Sequence, residues 1–253
     1  MSQMTLAGKP KNGYSLIELL IAMALGVIIT GAVLQSFLAI KQAFLLQQGM
    51  ARMQENARII SILLGDAIIN SGNAGCNAFS SEMVLTITKG INAEHYGLEL
   101  SQPIKSMRMQ TFKNNPLIAK SAIQKIVPNS DILWIKTIKP HVFSKNEMGK
   151  IVTISDCLQI DVFWSNTEPI PLNKYYGIFS STLFYVGKTR RGVNALYSTD
   201  LNGRTLELVE GVECLKFNYI FKPDNTVERV KLSALLSAPF VQPKWWHYEW
   251  STR

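Results

Sequence analysis

A lone carboxylate, Glu18, sits in a stretch otherwise free of charge from Gly13 to Ile40, and the next charged side chain is Lys41. About 20 apolar residues are enough to cross a bilayer as a helix. A charge at that depth is expensive unless something pairs with it, so such a residue normally has a function. The leader before it, MSQMTLAGKPKNG, carries Lys9 and Lys11 and no acid. Positive charge stays on the cytoplasmic side, so the amino terminus is expected to face inward and everything after Ile40 outward. A secretory signal ends its apolar core at a small-x-small cleavage site. Here the candidate cut lies ahead of the apolar run, after Gly13, which would make Tyr14 the first residue.

Three cysteines, Cys76, Cys157 and Cys214, fall on the expected outer side. In an oxidising compartment two of them should pair, and sequence leaves the choice of pair open. The favoured bridge joins Cys76 to Cys157, because one follows the long helix described below and the other lies in the sheet that the helix should cover. Closing a loop of about 80 residues would contribute on the order of 4 kcal/mol under the loop-entropy model. Cys214 is then the odd thiol, expected to be a buried apolar residue rather than a reactive one. No Cys or His spacing suits a metal ion. His95, His141 and His247 are scattered, and no Ser or Cys stands in an activating motif. There is no phosphate-cradling Gly-rich loop, and NEMGK at 146–150 does not make one, so neither a catalytic centre nor a cofactor is expected.

The formal charge is +8, and much of the excess is local: residues 101–150 hold nine Lys or Arg against Asp131 and Glu147. Lys105, Arg108 and Lys113 are the candidate anion patch, suited to DNA phosphates or to an acidic neighbouring subunit. The simpler reading is a solvated face or a mobile basic loop, since no nucleic-acid motif accompanies the block. At the carboxy terminus KWWHYEWSTR gathers Trp245, Trp246, Tyr248 and Trp250, expected to cap an open core or to meet another subunit.

Those residues need elements to hold them. From Tyr14 to Ile40 the pattern is apolar all round. Over 41–69 it becomes amphipathic, with Phe44, Leu45, Met50, Met53, Ala57, Ile60, Leu63, Leu64 and Ile68 at spacings of three and four. A continuous helix from Tyr14 to Ile69 would be roughly 84 Å long, more than a bilayer needs, so its second half must cover something else. Asn70, Ser71, Gly72, Asn73 and Gly75 end it with turn chemistry. Ala22, Gly26 and Gly31 would allow close approach of another helix.

After Cys76 the period changes. Segments at 83–89, 131–139, 150–156, 158–164, 181–188, 195–200, 205–209, 214–221 and 229–237 are short, β-branched or aromatic, and half-alternating. Residues 101–130 read as a loop or insertion. One long helix followed by many strands predicts an α+β fold with a mainly antiparallel sheet against the helix. The divisions are a leader at 1–13, a membrane-spanning half-helix at 14–40, an amphipathic half-helix at 41–75, and a β-rich domain at 76–253.

Basic leader, Gly13, aromatic Tyr14, Ser15, two apolar residues, Glu18 and a long apolar run together resemble the class III signal of type IV prepilins. QENARIISILL at 54–64, SGNAGC at 71–76, SDC at 155–157 and LVEGVECLKFNY at 208–219 extend the likeness to PilW-type minor pilins. Where that family often carries an acidic residue and an Arg before Gly-Cys, Ala67 and Ile69 stand here. Major pilins commonly have Pro at the position of Gln35, and the absence of that Pro predicts a straighter helix.

The resemblance implies a type IV pilin-like fold, cleavage between Gly13 and Tyr14 by prepilin peptidase, and methylation of the new Tyr14 amine. It implies that Glu18, then the fifth residue, neutralises the amino terminus of a neighbouring subunit. Partners would be that peptidase, other minor and major pilins, and the inner-membrane pilus assembly platform. The expected function is a minor pilin priming or tipping a type IV pilus for adhesion, twitching motility or DNA uptake, first in the inner membrane with a periplasmic domain and then on the cell surface. Two alternatives share the leader: a minor pseudopilin of a type II secretion system, and a DNA-binding competence pilin.

Overall fold

A 54-residue helix with no proline, α1 (Leu16–Ile69), opens the computed structural model. The structure describes residues 15–75, 84–87, 91, 102–108, 126–140, 151–155, 159–164, 175–223 and 227–252. Two compact units divide the chain, one running to Gln48 and the other from Gly49 to Arg253. In the first unit α1 exposes apolar side chains in every direction, from Leu16, Ile17 and Leu19 to Phe37, Leu38 and Ile40. Thr30 and Ser36 hide their hydroxyls by donating to the carbonyls of Gly26 and Ala32 one turn back, at 2.6 and 3.0 Å. By length and composition this is a helix able to cross a membrane.

In the second unit one stripe of α1 is buried: Gly49, Met53, Ala57, Ile60, Leu64, Gly65 and Ile68, the helical spacing legible in sequence. The helix stops where Gly72 takes a φ of 70°, a left-handed conformation that glycine adopts without strain. The chain leaving it is tied at once to a strand. Gly72 N donates to Lys136 O (2.9 Å), Ile138 N to Asn73 O (2.8 Å), and Thr137 Oγ1 to Asn70 O (2.8 Å).

Among the described residues eleven strands follow: β1 (Val84–Ile87), β2 (Ile104–Arg108), β3 (Asp131–Pro140), β4 (Ile151–Ser155), β5 (Gln159–Trp164), β6 (Tyr175–Lys188), β7 (Asn194–Thr199), β8 (Thr205–Glu210), β9 (Val212–Phe221), β10 (Val227–Ala238) and β11 (Val241–Ser251). The larger sheet runs β1-β5-β4-β6-β3-β2, with β7 pairing β6 and β8 pairing β7; the smaller runs β11-β10-β9. All pairs are antiparallel except β1 with β5. The protein is therefore α+β, with a long amino-terminal helix packed on a mainly antiparallel β domain, consistent with a pilin-like fold.

The main core joins three layers: Ile60, Leu64 and Ile68 of α1, Leu215, Leu232 and Ala234 of the smaller sheet, and Leu133, Ile135, Phe184 and Leu196 of the larger. Close approach of helix and sheet depends on small residues in α1. A side-chain carbon at Gly65 would lie 2.6 Å from Trp250 Nε1, and one at Gly49 would lie 2.6 Å from both Pro239 O and Val241 Cγ2. Tyr248 Oη donates to Ala57 O at 2.8 Å, fixing β11 across the helix. The edge of β9 is satisfied from 85 or so residues away, since Leu215 N donates to Ser130 Oγ and Phe217 N to Asp131 Oδ2, each at 3.0 Å.

One expectation is corrected. Residues 101–130 are not all loop, because β2 lies within them and pairs Ile104–Arg108 with Asp131–Ile135. The carboxy-terminal aromatic cluster does cap the core as expected, and does so as a full strand paired with β10. Its alternation turns Trp246, Tyr248 and Trp250 toward the core, while Trp245 stays 43 % exposed.

Candidate functional site

Ser15 is the residue before the first turn of α1, and its carbonyl accepts from both Glu18 N (3.0 Å) and Leu19 N (3.2 Å). Glu18 is the third helical residue, a position where a carboxylate is favoured by the unpaired amides and the dipole of the helix start. Its side chain is exposed and has no ion-pair or hydrogen-bond partner among the described residues. Nothing described in the chain neutralises it, while Leu19, Leu20 and Ile21 beside it are all more than half exposed. In an apolar surrounding such a carboxylate requires a cation from another molecule or from the amino terminus. Gly26 and Gly31 have nothing within 4 Å of where a side-chain carbon would sit. Each costs the helix about 1 kcal/mol relative to alanine, and no contact among the described residues explains them.

Gly13 and Tyr14, the candidate processing residues, lie outside the described residues, as do Cys76, Cys157 and Lys113. Ala74, two residues before Cys76, packs in one cluster with Ile160, three residues after Cys157. Cys214 carries a free thiol and is half-buried rather than buried. Its Sγ donates to Asn129 O at 3.4 Å. Burial pushes this thiol upward, with Lys216 pulling the other way and Asp131 adding to the rise.

Lys105 and Arg108 are both on β2, three residues apart on a regular strand, and so project from opposite faces of the sheet. Arg108 stands with Ser106 beside Asp131 and Lys216, where the Asp131 carboxylate is already taken by Phe217 N and, at 3.8 Å, by Lys216 Nζ. Lys105 pairs across with Trp134 on the other face. The remaining described members of the basic block are no closer to a common surface. Lys136 is 1 % exposed, its Nζ 4.9 Å from the centre of the Trp134 ring, a contact that favours a cation. Lys139 shares the face of Arg108 but belongs to a register position eight residues along β3, roughly 27 Å away. The structure thus does not bring Lys105 and Arg108 together, and one lysine of the block is part of a packed layer. The burial of Lys136 has a sequence trace, because DILWIKTIK is apolar on both faces and reads as a strand covered on both sides.

Residues 8–34 match the family model described as the prokaryotic N-terminal methylation motif. The match takes in the end of the leader, Gly13, Tyr14 and Glu18, and the chain carries a type IV prepilin-like class III signal. That motif implies processing by prepilin peptidase and assembly with other pilins, and with the apolar helix it is consistent with membrane anchoring. No curated protein and no solved structure matches the chain.

Proposed function

We propose that this chain is a prepilin that matures into a minor pilin of a type IV pilus, of the PilW type, and that its work is assembly rather than catalysis. The observation that carries the reading is Glu18, a carboxylate without a described partner in the first turn of an all-round apolar, exposed helix that also bears the methylation motif. The uncleaved chain waits in the inner membrane with its β domain in the periplasm. Cutting after Gly13 frees the Tyr14 amine, which is methylated. The apolar half of α1 then exchanges lipid for a bundle of like helices, where Glu18 meets a neighbour's amine and the open faces at Gly26 and Gly31 let helices approach closely. The β domain, with its two sheets, is bulky for a repeating shaft position, which favours a place at the tip with other minor pilins. Finding the subunit spread evenly along shafts by immunogold labelling would contradict the tip position without touching the rest.

The experiment that tests the reading is mass spectrometry of the mature amino terminus from cells with and without prepilin peptidase. Cleavage after Gly13 with a methyl group on Tyr14, seen only when the peptidase is present, supports a prepilin. An intact leader in both strains reduces the chain to a domain on a signal anchor.

A further inference from the structure

The face of the larger sheet that looks toward α1 changes character partway along its strands. Where the helix and smaller sheet cover it, the face is Leu133, Ile135, Phe184, Val186 and Leu196. The same alternation, carried two to four residues further, presents Thr137 on β3, Ser180 and Thr182 on β6, and Ser198 on β7. This hydroxyl-bearing stretch floors an open groove of about 520 Å³, with the last turns of α1 on one side and β8 on the other.

The groove has three kinds of surface. Leu63 and Ala67 of α1 and Leu208 of β8 are aliphatic walls, and Asp66, Asn70 and Lys139 stand at its edges. Asn70 Nδ2 donates to Asp66 Oδ1 at 2.8 Å, which orients the carboxylate and leaves its other oxygen unspent among the described residues. Thr137 is committed to the Asn70 carbonyl. Ser180, Thr182 and Ser198 are half-buried, yet their hydroxyls have no hydrogen-bond partner among the described residues.

One carboxylate and one ammonium give the lining no net charge, so nothing in it selects a polyanion. Its size lies within the range of sites for small ligands. A sugar ring is complementary to all three surfaces. Its C–H face suits aliphatic walls, and its hydroxyls, each both donor and acceptor, suit serine and threonine hydroxyls, a carboxylate oxygen and an amide. We propose that this groove binds a neutral saccharide of one or two rings, such as the end of a surface glycan. The proposal goes beyond the assembly reading and does not depend on it.

The test uses the full chain in phospholipid nanodiscs, because sugar-headed detergents would compete. Titration calorimetry with lactose, maltose, cellobiose and diacetylchitobiose, and with sialyllactose as an acidic comparison, should find saturable binding of at least one neutral disaccharide. Thr182→Val keeps the side-chain shape, and with Ser198→Ala it should weaken that binding about tenfold, because the sugar hydroxyls lose their partners. Asp66→Asn should weaken it by at least about as much, and an unchanged unfolding midpoint shows that each variant is folded. Should Asp66→Asn unfold the protein, the isosteric Thr182→Val carries the test. Failure of every neutral sugar to bind, binding untouched by these variants, or a preference for the acidic sugar overturns the proposal. So does loss of co-purifying pilin subunits from the variants with no sugar bound, which would make the groove a subunit contact.

Discussion

Replacing Gly65 with alanine sets two effects of known sign against each other. In a helix interior alanine is favoured over glycine by about 1 kcal/mol. At Gly65, however, the new carbon would lie 2.6 Å from Trp250 Nε1 and 3.0 Å from Cε2. That is about 1 Å inside normal contact between heavy atoms. The indole cannot easily retreat. Its ring stacks on Tyr248 with centres 5.6 Å apart and planes 14° from parallel, and Tyr248 is itself bonded to the Ala57 carbonyl. Overpacking of this kind costs about 1–3 kcal/mol, so Gly65→Ala should be neutral to destabilising by about 2 kcal/mol in the natural background. With Trp250→Leu the obstacle is gone, and the same substitution should stabilise by about 1 kcal/mol. The assay is thermal unfolding of the full chain, followed by near-ultraviolet circular dichroism, for all four members of the cycle. For a domain of this size 1 kcal/mol moves the midpoint by about 2–4 °C. The reasoning is refuted if Gly65→Ala raises the midpoint equally in both backgrounds, since the coupling would then be zero and β11 would not lie against this turn of α1.

Four further outcomes can be measured. Glu18→Gln should leave insertion and cleavage intact but sharply reduce recovery in sheared filaments, and normal incorporation would mean that the carboxylate is not the pairing group. Asp131→Ala should destabilise by about 1–3 kcal/mol because it strands the Phe217 amide, whereas Asp131→Asn, which keeps an acceptor, should cost clearly less; equal unfolding midpoints for the two would show that the amide is satisfied otherwise. Peptide mapping without reduction should find Cys76 joined to Cys157 and Cys214 free. Because burial pushes the Cys214 thiol up, its thiolate fraction at a given pH is smaller than in an unfolded control, and alkylation should be slower than in that control and speed up as pH rises. Rapid alkylation at neutral pH would contradict the half-buried placement.

What was legible early was whatever repeats over a few residues. The helix from Leu16 to Ile69 could be read because the apolar spacing of Met53, Ala57, Ile60, Leu64 and Ile68 is a property of neighbouring turns, and because Gly72 punctuates its end. The strands around Leu133, Ile154, Val162 and Leu232 were visible for the same reason. β2 and β11 were not, although Trp246, Tyr248 and Trp250 alternate with exposed residues. Their charges and their place in a loop-like segment or at a terminus outweighed a short period-two signal. Of the candidate site residues, Glu18 could be found by inspection because a charge in an apolar run is a local contrast.

Determined by sequence alone, then, are the class III signal, an apolar half-helix long enough to span a bilayer with its single carboxylate, the amphipathic half that must be covered, and the change to a strand period after it. Tertiary structure alone decided which side chains share a surface. Lys105 and Arg108 look like neighbours in the chain but part to opposite faces of β2, and Lys136 is drawn into a packed layer over Trp134. Ser130 and Asp131 close the edge of a strand far along the chain, while Ser180, Thr182 and Ser198 become the floor of a groove only because α1 and β8 rise beside them. The physical reason is range. Periodicity is set by the backbone dihedrals of adjacent residues, whereas burial, facing and partnership are set by segments that meet only when the chain has folded.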